Sequence, residues 1–260
     1  MDKLSRLLDV GVQRVVGIDQ SYSCTGIGVL ECLDALSVSK LLKIETKPKS
    51  GASHVSRAIK IAGTVSEVVH SGLDRPSLIV VESPTYGAFK SDTLHALYAL
   101  IIQQVLTPEV PAVFTPSGAH KAAYVHRYLQ FRGVELPRKT VKGRSKIDEK
   151  EASRLAWETL FGEVDGVVLR GRGCISNDEV EAVLLAYFGY RFVCFLQGES
   201  GVDFRPFELE LFGSNKKSKD GSKKGLAYKA GMFVHRYVDI YSTELQATVR
   251  DLTGMQLEVV

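Results

Sequence analysis

The chain has no C-x-x-C pair, and none of Cys24, Cys32, Cys174 and Cys194 stands near a His at zinc-ligand spacing. That pattern excludes a structural zinc module and favours reduced thiols over a disulfide framework. Long apolar runs are missing as well. The best stretch, Val183 to Leu196, is short and interrupted by Arg191, too little for a membrane span. The opening MDKLSRLLDVGVQR is too charged for a secretory leader. Charge of one sign is scarce: 33 Lys and Arg against 30 Asp and Glu leave a formal +3, so placement matters more than the sum. With a single Trp in 260 residues and 45% hydrophobic content, one main core with at most a small appendage is expected.

What is present is a set of acids at the ends of apolar segments. Asp19 closes VVGID, Glu82 follows LIVV, and Asp178 and Glu181 lie in SNDEVEAVLLAY. The first two runs read as buried strands that carry a carboxylate where the strand leaves the core. The last two acids are three apart at the start of an apolar helix and share one face. Gathered together, such acids repel unless a cation or shared protons neutralise them, and an all-oxygen donor set suits Mg²⁺ or Mn²⁺. Plainer readings stand beside this one. Asp19 could be a turn residue, Glu82 a solvated strand end, and Asp178 and Glu179 helix caps that complement the dipole. The cap reading suits Glu179 well, whereas Glu181, beside Ala182 and Leu185, falls on the inward stripe.

Periodicity sets the order of elements. Strands are expected at Val15–Asp19, Gly26–Leu30, Leu41–Thr46, Leu78–Glu82 and Ala112–Thr115. Helices are expected from about Ser53 to His70, Asp92 to Leu106, a short one capped by Ser117 through Lys121 and Tyr124, Ile147 to Phe161, and Asp178 to about Leu196. Between Lys121 and Lys150 the chain carries Arg127, Arg132, Arg138, Lys139, Lys142, Arg144 and Lys146 with interleaved Tyr124, Tyr128 and Phe131. This reads as a basic insertion at about 125–146, suited to phosphates or else a solvated loop. The tract GSNKKSKDGSKKG, 213–225, has the composition of a flexible linker inside a C-terminal extension, 198–260, of strands and a terminal helix.

The motifs GIDQSYSCTGIGVL, VVESPTYGAFKSDTLHALYAL, VFTPSGAHKAA, SKIDEKEASRLAW and DEVEAVLLAY, in that order, resemble the RuvC-type Holliday junction resolvases of the ribonuclease H-like superfamily. The likeness runs from about Val15 to Tyr190. It implies a ribonuclease H-like mixed five-stranded sheet with flanking helices, βββαβαβα, forming a nuclease domain over 1–197. Asp19, Glu82, Asp178 and Glu181 become catalytic carboxylates and metal ligands for two Mg²⁺ or Mn²⁺ ions per site. Lys121 and Lys150 become candidates for contacting the scissile phosphate. Lys142, Arg144 and Lys146 are further DNA-binding candidates, as are Tyr86, Phe89 and Lys90 in the loop after Glu82, where the family places an aromatic that stacks on bases. The partners implied are branched DNA, a four-way junction above all, and a second copy in a homodimer, with no membrane, in the cytoplasm of a bacterial cell or phage-infected host. Two departures stand out: Gln20-Ser21 where the family has Pro-Gly, and Glu181 where Asp is commoner.

Two other functions fit parts of the pattern. An actin-like ATPase or phosphotransferase also opens with a strand, an Asp and a hairpin, but needs a second such half and Gly-rich phosphate loops. A catalytically inactive nucleic-acid-binding module would keep the scaffold and lose ligands, whereas four acids are retained here.

Overall fold

Val15, Val16 and Ile18 are all buried, a pattern that only a central strand covered on both faces can satisfy. In the computed structural model, which describes residues 12–32, 36–46, 53–70, 78–84, 91–107, 110, 112–162, 175–198, 202–213 and 234–236, this strand is β1 (Arg14–Asp19). It pairs antiparallel with β2 (Cys24–Cys32), which pairs antiparallel with β3 (Leu36–Glu45). On its other side it runs parallel to β4 (Leu78–Val81), and β4 runs parallel to β5 (Ala112–Phe114). The mixed five-stranded sheet expected from the sequence is therefore present, in the order β3-β2-β1-β4-β5, with β8 (Val234–Arg236) added antiparallel at the β5 edge.

Alternation along the strands divides the core into two layers. Val16, Ile18, Ile27, Val29, Ile79, Val81 and Val113 pack with α1 (His54–His70) and α2 (Ser91–Val105) on one face. Val15, Leu30, Leu78, Val80 and Phe114 pack on the other with α3 (Gly118–Phe131), α4 (Glu149–Phe161) and α5 (Asn177–Gln197). On this second face β1 and β2 carry glycines where α5 crosses. A Cβ on Gly17 would stand 2.0 Å from the Ala182 carbonyl oxygen, one on Gly26 1.9 Å from that of Asp178, and one on Gly28 2.3 Å from a Val183 methyl. Gly17 and Gly28 are paired across the ladder, and Gly26 is paired with Asp19. The helix backbone thus lies directly on the strands beside Asp19.

Several elements differ from expectation. β2 and β3 are longer, with a register shift at Val29/Leu30. The short helix after Ser117 runs on to Phe131 because Val125, Tyr128 and Leu129 supply a buried stripe, so the start of the expected basic insertion is helical and packed. The rest forms a separate two-stranded ribbon, β6 (Arg138–Val141) and β7 (Arg144–Ile147). In the C-terminal extension, VDFRPFELELF contributes a helix, α6 (Pro206–Gly213), rather than a strand. It is held by Glu208, fully buried and bonded to Arg191 (2.8 and 2.6 Å), the Tyr124 hydroxyl (2.5 Å) and the Arg205 N–H (2.8 Å). These partners satisfy a charge that would otherwise be untenable in the core. The expected terminal helix and most of the 213–225 linker lie outside the described residues.

If α5 is seated by the glycines, Gly26→Ala should lower stability by about 1–3 kcal/mol through overpacking. Gly63→Ala, in α1 with nothing within 4 Å of its Cβ position, should raise it by about 0.5–1 kcal/mol through helix propensity. Urea unfolding of the two variants checks both signs.

Candidate metal centre

Asp19 is the last residue of β1, and Glu82 directly follows β4. The parallel ladder carries on past β4, since the Glu82 N–H donates to the Ile18 carbonyl (3.1 Å), and the Gln20 side-chain amide donates to the Glu82 carbonyl (2.8 Å). The two acids therefore leave neighbouring strands together. The Gln20-Ser21 departure is accommodated by hydroxyls. Ser21 Oγ donates to the Cys24 carbonyl (2.8 Å) and accepts from its N–H (3.0 Å), while Thr25 Oγ1 donates to the Ser21 carbonyl (2.8 Å). These bonds shape the turn into β2 without Pro-Gly.

Asp178 and Glu181 come from the first turns of α5. Glu179 takes the capping role, its carboxylate accepting from the Ser176 N–H (2.7 Å) and hydroxyl (2.8 Å) while Ser176 caps the Glu179 N–H. Asp178 and Glu181 are thereby freed from the cap. Lys121, in the first turn of α3, brings the acids together. Its ammonium is 2.6 Å from Glu82 Oε2, 2.7 Å from Glu181 Oε2 and 3.8 Å from Asp19 Oδ1, with 9% of the side chain exposed. The start of α3 is held close by the Ser83 N–H donating to the Pro116 carbonyl (2.8 Å) and by Gly118, whose Cβ would meet Glu82 Oε1 at 2.6 Å.

Electrostatics reflects four acids around one base. Burial pushes the Asp19 carboxyl up to about 7; the Lys121 charge opposes this, and the charges of Glu82, Glu181 and Asp178 add to it. Burial alone would lower the Lys121 ammonium, but Asp19, Glu181 and Glu82 outweigh it and hold the group protonated. Cys24, at the start of β2, hydrogen-bonds Asp178 through its side chain, and burial, with that bond and the Asp178 charge, pushes its thiol up to about 12. Sequence reasoning missed Cys24; the only signal was its place three residues after the turn-forming Ser21.

No protein-family model and no curated protein matches the sequence. Among solved structures, the chain is similar to Thermus thermophilus RuvC in complex with a Holliday junction substrate, at 16% identity over 72% of this chain and 96% of that one, TM-score 0.48. It is also similar to the yeast mitochondrial Holliday junction resolvase Ydc2, at 14% identity over 76% and 89%, TM-score 0.48. A third similar structure is the manganese-soaked nuclease domain of the human cytomegalovirus terminase, at 14% identity over 73% and 94%, TM-score 0.35. Scores below 0.5 leave the chemistry to be read from the side chains themselves.

Those side chains supply oxygens only, a donor set that fits a hard divalent cation. Among the described residues no group of three or more His, Cys, Asp or Glu is in position to hold a metal ion; the Lys121 ammonium stands between Glu82 and Glu181 instead. A cation is thus already accommodated where these acids meet. Of the other expected site residues, Lys150 is exposed in the first turn of α4 and makes no ion pair with the acids, and Lys142, Arg144 and Lys146 are exposed on the β6–β7 ribbon. Tyr86, Phe89 and Lys90 lie outside the described residues. No helix among the described residues is long and apolar enough to cross a membrane.

An unfolded Asp ionises near 4, whereas Asp19 in the fold does so at about 7. Between those values the folded state keeps a proton that the unfolded chain has lost, so this residue's contribution to stability declines as pH rises from 4 towards 7 and stays low above it. Asp19→Asn should therefore stabilise the metal-free protein at pH 8 by on the order of 1–2 kcal/mol, after allowing for partial exposure, and change little at pH 4. Thermal unfolding in EDTA at the two pH values measures this; a lower Tm of the variant at pH 8 would contradict it.

Proposed function

We propose that this chain is a metal-dependent endonuclease of the ribonuclease H-like type that hydrolyses phosphodiester bonds in branched DNA, acting as a homodimeric Holliday junction resolvase. The observation that carries the reading is the meeting of Asp19, Glu82 and Glu181, from three elements, around one ammonium, with Asp178 close enough to add to the charge on Asp19. Acids so placed, at the ends of a central strand, its parallel neighbour and a packed helix, could take a divalent cation once the Lys121 ammonium withdraws from between Glu82 and Glu181.

Asp19, Glu82, Asp178 and Glu181 are the residues that would hold the metal. Mg²⁺ or Mn²⁺ held there, two ions per site, would supply stabilisation of the charge on the attacking and departing oxygens. The chain's own residues do the rest. A carboxylate accepts the proton of the attacking water; the water oxygen bonds to phosphorus as the P–O3′ bond breaks, and the departing 3′ oxygen takes a proton from solvent water to become a 3′ hydroxyl, leaving a 5′ phosphate. No covalent bond to the protein is needed. Lys121, released from Glu82 and Glu181, offers its ammonium to a phosphate oxygen, and Lys150 with the exposed Lys142, Arg144 and Lys146 supplies charge to the flanking backbone. A four-way junction presents paired strands, so an isologous dimer would set one site on each.

The test is incubation of the protein with Mg²⁺ or Mn²⁺ and end-labelled four-way junction, flap and linear duplex. Paired symmetric nicks confined to the junction are expected. Asp19→Asn should slow nicking by about a thousandfold, equivalent to about 4 kcal/mol of lost charge stabilisation, while junction binding in EDTA persists. Wild-type nicking rates in the variant would remove Asp19 from the chemistry.

A further inference from the structure

Between α3 and α4 the chain projects as the two-stranded ribbon β6–β7, closed at its base by the Asp148 N–H donating to the Pro137 carbonyl (2.8 Å). Its loop is Lys142-Gly143, with φ of 50° and 74°, the positive-φ pair of a type I′ hairpin turn whose twist suits a regular ribbon. The ladder sets Arg138 against Ile147, Lys139 against Lys146, Thr140 against Ser145 and Val141 against Arg144. Side chains alternate across a ribbon, so its two faces are distinct. Arg138, Thr140, Ser145 and Ile147 share one; there Ile147 packs against the core and Arg138 donates to Ser145 Oγ (3.2 Å). Lys139, Val141, Arg144 and Lys146 share the other, and every strand residue of the ribbon except Ile147 is exposed.

That outward face is an unusual thing for a fold to hold rigid. Lys139 and Lys146 stand directly opposite each other, an arrangement that weakens an antiparallel pair. Asp148 meets Lys139 at 2.9 Å, but among the described residues Lys142, Arg144 and Lys146 have no ion-pair partner. The ribbon therefore presents three cations on one face and a fourth at its tip, with one acid at the base to offset them. Its four-residue strands are about 13 Å long and about 4.8 Å apart, and a B-form major groove, about 12 Å wide and 8.5 Å deep, admits a two-stranded ribbon. At the base of the ribbon, Glu149, next to Asp148, meets His126 of α3 (2.7 Å), which lies five residues along that helix from Lys121.

We propose that β6–β7 lies in the major groove of a duplex DNA arm, with Lys139, Arg144 and Lys146 neutralising the phosphates that border the groove. The proposal rests on the nuclease reading above and adds to it the element that grips the arm. Its contacts are to phosphates, so the grip is indifferent to base sequence.

The test uses the full chain in EDTA and measures, by fluorescence anisotropy over a range of salt, binding to a short linear DNA duplex and to the same sequence as duplex RNA. The triple variant Lys139→Gln/Arg144→Gln/Lys146→Gln leaves in place Ile147, which packs on the core. It should bind duplex DNA at least about tenfold more weakly, with the slope of log K against log salt reduced by about 2 to 3, one phosphate contact per lost cation. Arg138→Gln, on the other face, should keep the wild-type slope. Methyl green, which fills the major groove, should compete, and distamycin, which fills the minor groove, should not. Duplex RNA should bind more weakly, because its deep, narrow major groove does not admit side chains. A wild-type slope in the triple variant, or competition from distamycin alone, would overturn the ribbon's role while wild-type nicking leaves the nuclease reading standing. If the wild-type protein neither nicks a junction nor binds DNA in a salt-dependent way, both fail together.

Discussion

The contact on which everything else depends is the seating of α5 on the bare backbone of β1 and β2. At Gly17, Gly26 and Gly28 any side chain would occupy space already filled by the helix, at Gly17 and Gly26 by its backbone. Removing those side chains brings the start of α5 against the strand end that carries Asp19. Asp178 and Glu181, in the first turns of α5, are brought close to it. The same close packing leaves both core layers filled from their own side of the sheet, so the site sits where strands end and both cores stop.

Charge is the second constraint. Four carboxylates converge, and the fold supplies one ammonium, Lys121, which bridges Glu82 and Glu181 and lies near Asp19. One positive charge does not offset four negative ones; burial first, and then the neighbouring carboxylates, raise the pKa of Asp19 against the pull of Lys121. An arrangement short of positive charge at its centre favours binding of a further cation. The buried group Arg191, Glu208 and Tyr124 solves a similar problem differently, by pairing within the core. Because Tyr124 lies one turn from Lys121 on α3, α6 also braces the helix that presents the lysine.

Much of this was legible from residues alone. Strands buried on both faces show as unbroken β-branched runs, and Asp19 and Glu82 stand out because they end such runs. The separate roles of Glu179 and Glu181 also followed from position, one at the third residue of a capped helix and the other on its inward stripe. The misses have physical causes. In an extension expected to hold strands and a terminal helix, FELELF forms a helix in which Glu208 is buried by Arg191 while Leu209 is 49% exposed. The ribbon was hidden because Lys-Gly is a weak turn signal beside Asn-Gly, and its strands carry charges on both faces. β8 depends on pairing with β5 across more than a hundred residues, which no local pattern announces. Cys24 and Asp178 come together only because Gly26 lets α5 approach.

Asp19, Glu82, Asp178 and Glu181 are proposed to form one cation-binding centre. Anomalous diffraction from crystals saturated with Mn²⁺ tests it most directly. Manganese should be ligated by these four side chains, with the Lys121 ammonium withdrawn from between Glu82 and Glu181. Crystals in which that ammonium still bridges the two glutamates, and in which manganese is bound elsewhere or not at all, would contradict it.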